Sequence, residues 1–177
     1  DLDAYANRID DPRFVFVRSN FRYLKNFLRY HGIEKVDGVL ADLGVSFHHF
    51  DVASRGFSFR MDGELDMRMN VKASQKASDV LNEYSEEDLT RIFRVYGELA
   101  QPQKMARAVV QAREEKPFVM VQDLLLVAEK LIAKERTKKE LACVFQALRI
   151  EVNKEMEALK QMLTQTSEVL KEGGRLS

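Results

Sequence analysis

The stretch Val36-Asp37-Gly38-Val39-Leu40-Ala41-Asp42-Leu43-Gly44 decides the predicted fold. It is largely apolar up to an aspartate, and a glycine that is typical of a turn follows. We therefore predict a strand over residues 36–42 that ends in Asp42 immediately before a turn at Gly44.

A βα pattern lies directly before this strand. The segment Arg13-Phe14-Val15-Phe16-Val17-Arg18 is aromatic and β-branched between two arginines, which is typical of a strand buried on both faces. Phe21, Leu24 and Leu28 then follow at helical spacing, and Gly32 ends the pattern. Because a helix joins the two predicted strands, they should be parallel, with a right-handed crossover.

The pattern changes after Gly44. Residues 44–72 are punctuated by glycines and have no sustained period, which is typical of a functional loop. Helical patterns follow, with a cap at Ser85 and Asp88, and one long helix is predicted over residues 141–171. We predict a partial α/β domain with an inserted all-helical domain. Its parts are 1–52 (α/β), 53–72 (loop), 73–140 (helical insertion) and 141–177 (return helix and start of the next strand).

Composition excludes several classes of protein. The 177 residues carry 28 basic and 28 acidic side chains, so global charge indicates neither nucleic acid nor membrane as a partner. An apolar fraction of 45% supports a core and excludes a disordered chain. Apolar runs are too short to cross a bilayer, and the single cysteine, Cys143, favours a reducing compartment, the cytoplasm.

Candidate ligand residues lie where predicted strands end. Open parallel sheets bind ligands at the carboxyl ends of their strands, which points to Asp1, Phe21 and Asp42. For Asp42, ligand binding and helix capping are equally compatible with the pattern, whereas capping alone explains Asp1 and core packing explains Phe21 more simply. The adjacent His48 and His49 lack a set of ligands at zinc spacing, so we expect no metal.

One basic run stands out in the helical part. It contains Lys134, Arg136, Lys138 and Lys139 with a single acidic residue, Glu135. A solvated helix end explains such a run most of the time, and contacts with RNA phosphates would also explain it.

Longer stretches carry a resemblance to a known family. These are residues 41–46 (Ala-Asp-Leu-Gly-Val-Ser), 50–51 (Phe-Asp), 55–69 (Arg-Gly-Phe-Ser-Phe-Arg-Met-Asp-Gly-Glu-Leu-Asp-Met-Arg-Met), 144–153 (Val-Phe-Gln-Ala-Leu-Arg-Ile-Glu-Val-Asn) and 173–177 (Gly-Gly-Arg-Leu-Ser). Together they resemble the bacterial RsmH (MraW) family over essentially the whole chain. The resemblance implies a Rossmann-like sheet and transfer of a methyl group from S-adenosylmethionine to the exocyclic amine of a cytidine in 16S ribosomal RNA.

The resemblance also implies roles for individual residues at the cofactor. Asp1 would bind the ribose, Phe21 would lie against the adenine, and Asp42 would sit by the methionine end. The family has Ser-Pro-Gln where this chain has Phe47-His48-His49, so the family's cofactor-contacting glutamine falls on His49. Asp42 is also the candidate acceptor for a proton of the attacking amine.

The implied macromolecular partner is 16S ribosomal RNA or the small ribosomal subunit. We expect Arg55, Arg60 and Arg68 of the loop to meet the RNA, together with the basic run. The helical insertion resembles the family's substrate-recognition domain, for which looped RNA with an unstacked base is a suitable target.

Two other classes remain as alternatives, namely a non-enzymatic RNA-binding or ribosome-assembly module and a nucleotide-dependent oxidoreductase. The family's glycine-rich loop would precede Asp1, and a Ser-Phe-His-Ser motif would begin at or after Ser177. We therefore expect this chain alone to be inactive and to bind S-adenosylmethionine about tenfold or more weakly than the full-length protein. We also expect another chain, as in a homodimer, to cover its sheet edges.

Overall fold

The computed structural model describes residues 9–44 and 55–177, with the side chain of Lys134 excepted. The chain divides into two compact units, which we call the sheet unit (1–43 and 156–177) and the helical unit (44–155). Each unit is described by itself below.

Local capping sets the first helix that is described in the sheet unit. The Asn20 side chain accepts a hydrogen bond from the Arg22 N–H at 3.0 Å and starts a 3₁₀ turn, Phe21–Tyr23. The turn leads into α1, Leu24–Tyr30. The chain leaves α1 at His31 and Gly32, where the apolar pattern predicted the end of a helix.

Two parallel strands form the sheet within the described residues. They are β1, Val36–Val39, and β2, Leu170–Leu176. Val36 pairs with Leu170 and Val39 with Leu176, with an irregularity between. The prediction of a mixed α/β protein with a parallel sheet is therefore confirmed.

The strand predicted over residues 13–18 was wrong for the structure as described. These residues pair with no described strand, and Phe14, Val15 and Phe16 are 41%, 52% and 36% exposed. A strand needs a neighbour for its N–H and C=O groups, and no described segment offers one here. An apolar, β-branched pattern cannot supply that partner by itself.

Five helices follow in the described part of the helical unit. They are α2, Ala77–Glu83; α3, Glu86–Val95; α4, Pro102–Glu115; α5, Val121–Leu131; and α6, Thr137–Asn153. A short 3₁₀ turn, Lys134–Arg136, precedes α6.

Capping and apolar spacing set these helices. Ser85 accepts a hydrogen bond from the Asp88 N–H at 3.0 Å, as the sequence predicted. The apolar residues at helical spacing along α3, Leu89, Ile92 and Phe93, are fully buried. They join one core with buried residues of the other four helices.

The long helix predicted over residues 141–171 is two helices, α6 and α7, Glu155–Val169. Lys154 separates them in the left-handed region, with φ of 50°. The apolar spacing along one continuous helix would bury Met156 and Leu163, but the break shifts the buried face and leaves them 39% and 44% exposed. Ala158, Met162, Thr166 and Val169 are the buried residues of α7.

Candidate active site

The carboxyl ends of the two strands lie at the same edge of the sheet because the strands are parallel. Pairing continues beyond β1, since the Ser177 N–H donates to the Val39 carbonyl at 3.0 Å and the Ala41 N–H to the Ser177 carbonyl at 2.8 Å. Asp42 is the next residue along the chain. Asp42 therefore directly follows the last paired residue of this strand among the described residues.

Asp42 is exposed at this edge, and its carboxylate has no hydrogen bond or ion pair with any residue that the structure describes. Gly44 follows with φ of 135°, a conformation that L side chains rarely adopt. The backbone therefore turns away two residues after Asp42. Its acceptor oxygens remain available to a ligand.

Phe21 begins the 3₁₀ turn of the sheet unit, with 38% of its surface exposed. Phe21 is thus partly open to solvent. The two other predicted cofactor residues, Asp1 and His49, lie outside the described ranges.

The segment 55–69 packs into the core of the helical unit, where Phe57, Leu65 and Met67 are buried. It runs antiparallel to the start of α5 for a short distance. The Leu65 N–H donates to the Val119 carbonyl at 2.9 Å and the Val121 N–H to the Gly63 carbonyl at 2.8 Å. Most of this segment is therefore held by tertiary contacts.

Two predicted RNA-binding arginines support this segment from inside. Arg68 donates to both carboxylate oxygens of Asp66 at 2.8 and 2.7 Å and to the Ala73 carbonyl at 2.6 Å. Arg55 donates to the Arg68 and Met69 carbonyls, the latter at 3.3 Å. Both guanidinium groups thus stabilise the shape of the segment.

Arg60 is different, because it lies at an exposed tip with Met61 and Asp62. Its guanidinium has no partner among the described side chains. Asp62 anchors the tip, because its carboxylate accepts from the Gly63 N–H at 3.0 Å and the Gln122 N–H at 3.2 Å. The segment therefore presents the Arg60 guanidinium at a tip whose backbone is held in place by Asp62.

Asn153 was missed by the sequence analysis. At the end of α6 its side-chain oxygen accepts from the Met69 N–H at 2.7 Å, and its amide donates to the Met67 carbonyl at 2.8 Å. Only the resemblance of residues 144–153 to a family motif pointed to this position. Asn153 thus fixes the last residues of the 55–69 segment to the helix.

A buried polar cluster lies beside this contact. The Glu151 carboxylate, 6% exposed, accepts from the Tyr84 hydroxyl at 2.8 Å and from the Lys154 ammonium at 2.9 Å. Burial and the bond to Glu151 raise the pKa of Tyr84. For Lys154, burial alone would lower the pKa, but the hydrogen bond and the charge of Glu151, together with Tyr84, outweigh burial and raise the pKa. Both groups therefore stay protonated and hold the junction between α6 and α7.

Asp66 provides a test of the packed segment. Burial alone would raise the pKa of its carboxyl, but the hydrogen bonds and charge of Arg68, together with the charge of Lys76, outweigh burial and lower the pKa. The ionised carboxylate therefore contributes its full stabilisation above the pKa of Asp66 in the unfolded state. This contribution is lost as the pH falls through the lower pKa of Asp66 in the folded state. We expect Asp66→Asn to lower the free energy of unfolding by about 2 kcal/mol at neutral pH.

The difference between Asp66→Asn and wild type should shrink below a pH of about 4, which denaturant unfolding over a pH series measures. In an Arg68→Gln background the same substitution should show much less pH dependence, because the partner that lowers the pKa is gone. A difference that stays constant with pH would contradict this role for Asp66.

The basic run lies at the start of α6. Arg136, Lys138 and Lys139 are exposed, and none has a hydrogen bond or ion pair with a described side chain. Nothing is described for the side chain of Lys134. This end of the helical unit therefore presents several cations to solvent.

The fold and the site define a class. The chain is an α/β protein with a helical unit, and an available carboxylate lies at the carboxyl edge of a parallel strand pair, where open α/β sheets bind ligands. Within that class, the chain belongs to the MraW methylase family, which it matches over residues 2–177. Membership implies a Rossmann-like sheet and, in general, the use of S-adenosylmethionine.

Individual relatives agree with this family. The ribosomal RNA small subunit methyltransferase H of Phocaeicola vulgatus is 61% identical over 176 residues, or 99% of this chain and 58% of that protein. The protein of the same name from Bacteroides thetaiotaomicron is 60% identical with the same coverage. That from Flavobacterium psychrophilum is 51% identical over 100% of this chain and 61% of its own length. The chain thus spans about three fifths of the length of these relatives.

Two features are absent from the described ranges. No helix there is long and apolar enough to cross a membrane. No group of three or more His, Cys, Asp or Glu side chains in those ranges is arranged to hold a metal ion.

Part of the site fits the nucleoside cofactor that the family implies. A carboxylate without a protein partner among the described residues suits the amino or hydroxyl hydrogens of such a molecule, and the partly exposed ring of Phe21 suits the face of a purine.

Proposed function

We propose that the full-length protein transfers a methyl group from S-adenosylmethionine to the exocyclic amine of a cytidine in 16S ribosomal RNA. The observation that carries this proposal is the 61% identity to a relative named ribosomal RNA small subunit methyltransferase H. The exposed carboxylate at the edge of the sheet supports it. A non-enzymatic RNA-binding module is disfavoured, because the match to proteins named as methyltransferases covers 99% of the chain.

S-adenosylmethionine supplies a methyl group that is already activated by the sulfonium charge. The chain therefore has to position the partners and accept a proton. We assign the ribose to Asp1, the adenine to Phe21 and the methionine end to Asp42 and His49. Asp42 is also the proposed acceptor for a hydrogen of the attacking amine.

We further propose that residues 1–52 and 141–177 belong to the methyltransferase domain, and that residues 73–140 form a helical insertion that recognises the substrate. Residues 53–72 would present Arg60 to the RNA, with Arg55 and Arg68 acting mainly through the shape of the segment. We propose that the enzyme works in the cytoplasm, where ribosomal RNA is assembled into ribosomal subunits. We propose a homodimer in which a second copy of the chain covers the edge of the sheet.

The basic run is proposed to bind RNA phosphates through Lys134, Arg136, Lys138 and Lys139. Their cations would release counterions from single-stranded RNA on binding. We expect Lys138→Ala/Lys139→Ala to weaken RNA binding and to reduce the slope of log affinity against log salt by about 1.4, or about 0.7 for each phosphate that is no longer neutralised. Filter binding or fluorescence anisotropy over a salt series measures this slope.

A matched control comes from Arg94 and Lys160, two exposed cations outside the run without partners among the described residues. Arg94→Ala/Lys160→Ala removes the same charge and should leave the slope unchanged. Equal slopes for the two double variants would show that the basic run is an ordinary solvated surface and does not contact RNA phosphates.

The proposed reaction itself is tested by incubating the full-length protein with small ribosomal subunits and isotope-labelled S-adenosylmethionine. Labelled N4-methylcytidine in the digested RNA supports the proposal. Binding of RNA without any transfer would support the RNA-binding module instead.

A further inference from the structure

A groove in the helical unit contains none of the residues proposed above for methyl transfer. It encloses about 170 Å³ and lies between the first turns of α4 and α6 and the end of α5. This is several times the roughly 30 Å³ that one water takes in the liquid. The groove is lined by apolar Met105, Leu131 and Ile132 and by charged Lys104, Arg136 and Glu140, among others.

The two cations of the groove are available to an anion. Lys104 lies in the first turn of α4, and Arg136 immediately precedes α6. Both are exposed, and neither side chain has a hydrogen bond or ion pair with another described residue. The amino ends of two helices add partial positive charge at the same place. This wall therefore suits a phosphate group.

On the other wall of the groove, Glu140 favours a ligand group that donates a hydrogen bond. It lies in the first turn of α6, is half-buried, and has no partner among the described side chains. An ionised carboxylate only accepts hydrogen bonds. It can therefore bind the exocyclic amine of adenine, cytosine or guanine, but it opposes the carbonyl that uracil presents at the corresponding position.

We propose that this groove binds one unstacked base of the RNA, with the base on the apolar floor, its exocyclic amine on Glu140 and a neighbouring phosphate on Lys104 and Arg136. The proposal rests on the proposed function insofar as the partner is RNA. The base is a recognition base and not the methyl acceptor, because no residue proposed for methyl transfer lines the groove.

The test uses the full-length protein and short single-stranded RNA. Hexamers of adenosine and of uridine serve as probes, since adenine offers an amine without being the proposed methyl acceptor. Ala133, an exposed residue of the groove wall, allows the groove to be filled without a change of charge. Ala133→Leu occupies the space of the base, and Ala133→Ser is the matched control that leaves it open.

We expect Ala133→Leu to weaken binding of the adenosine hexamer about tenfold, Ala133→Ser to leave it within about twofold, and Lys104→Ala to weaken both hexamers. Glu140→Gln should reduce the preference for adenosine over uridine. Thermal melting of each variant checks the fold.

Unchanged affinity in a folded Ala133→Leu variant, or equal binding of the two hexamers by wild type, would overturn the proposal. Methyl transfer to small ribosomal subunits is measured separately. Loss of transfer with groove-dependent binding intact would reject the proposed reaction alone, whereas transfer with groove-independent binding would reject the groove alone.

Discussion

Asp42→Ala in the full-length protein should lower methyl transfer to small ribosomal subunits by at least about tenfold, and by about 100-fold if the carboxylate also accepts the proton. The carboxylate lies where the strand pair ends and has no partner among the described residues. Its removal should therefore leave the fold intact while a ligand loses its acceptor.

Two measurements separate the proposed roles of Asp42. Calorimetric titration with S-adenosylmethionine reports cofactor binding, and the turnover number at saturating cofactor reports proton acceptance. Weaker binding with normal turnover at saturation would assign Asp42 to the cofactor alone.

Asp37→Ala is the matched control for this experiment. Asp37 is an exposed carboxylate on β1, and it pairs with Lys171 at 2.8 Å. Its removal should leave turnover near the wild-type value. Wild-type cofactor affinity together with wild-type turnover in a folded Asp42→Ala variant would contradict the assignment of Asp42 to the site.

Gly56→Ala should have the largest effect on stability. A Cβ atom at Gly56 would lie 2.1 Å from the Glu64 carbonyl oxygen, and φ is 64°. The adjacent Leu65 and Asp66 are hydrogen-bonded on both sides, so the backbone has little freedom to move. We expect a loss of about 3 kcal/mol or more in the free energy of unfolding, measured by denaturant titration.

Gly32→Ala separates backbone strain from steric overlap. Gly32 has a similar φ of 71°, but nothing lies within 4 Å of a Cβ atom built there. The Gly32→Ala substitution should lower the free energy of unfolding by about 1 kcal/mol, which is the strain of the left-handed conformation alone. Equal losses at the two glycines would show that the Gly56 contact relaxes freely.

Local chemistry explains the parts of the fold that the sequence predicted. The hydroxyl of Ser85 caps a helix within three residues, and the spacing of Leu89, Ile92 and Phe93 follows directly from the helical period. Asp42 lies directly after paired residues at the end of β1, where the pattern placed it. Its role at a ligand stays a prediction.

Side-chain contacts that leave no periodic pattern explain what the sequence could not predict. The break at Lys154 involves no glycine or proline and is held by ion pairs to Glu151 and between Arg149 and Glu155. The packing of the 55–69 segment depends on Asn153, which is more than eighty residues away in sequence. Neither contact leaves a periodic pattern. A residue's partner across the fold is not encoded in its own neighbourhood.

The most direct test of the proposed reaction is the location of the transferred methyl group. Full-length protein is incubated with unmodified small ribosomal subunits and S-adenosylmethionine that carries a deuterated methyl group, and the nucleosides are separated by mass spectrometry. We expect the deuterated methyl on the exocyclic amine of cytidine, at a level that falls at least about tenfold in Asp42→Ala and not in Asp37→Ala. Absence of the label from cytidine, or equal labelling by both variants, would contradict the proposed reaction and its site.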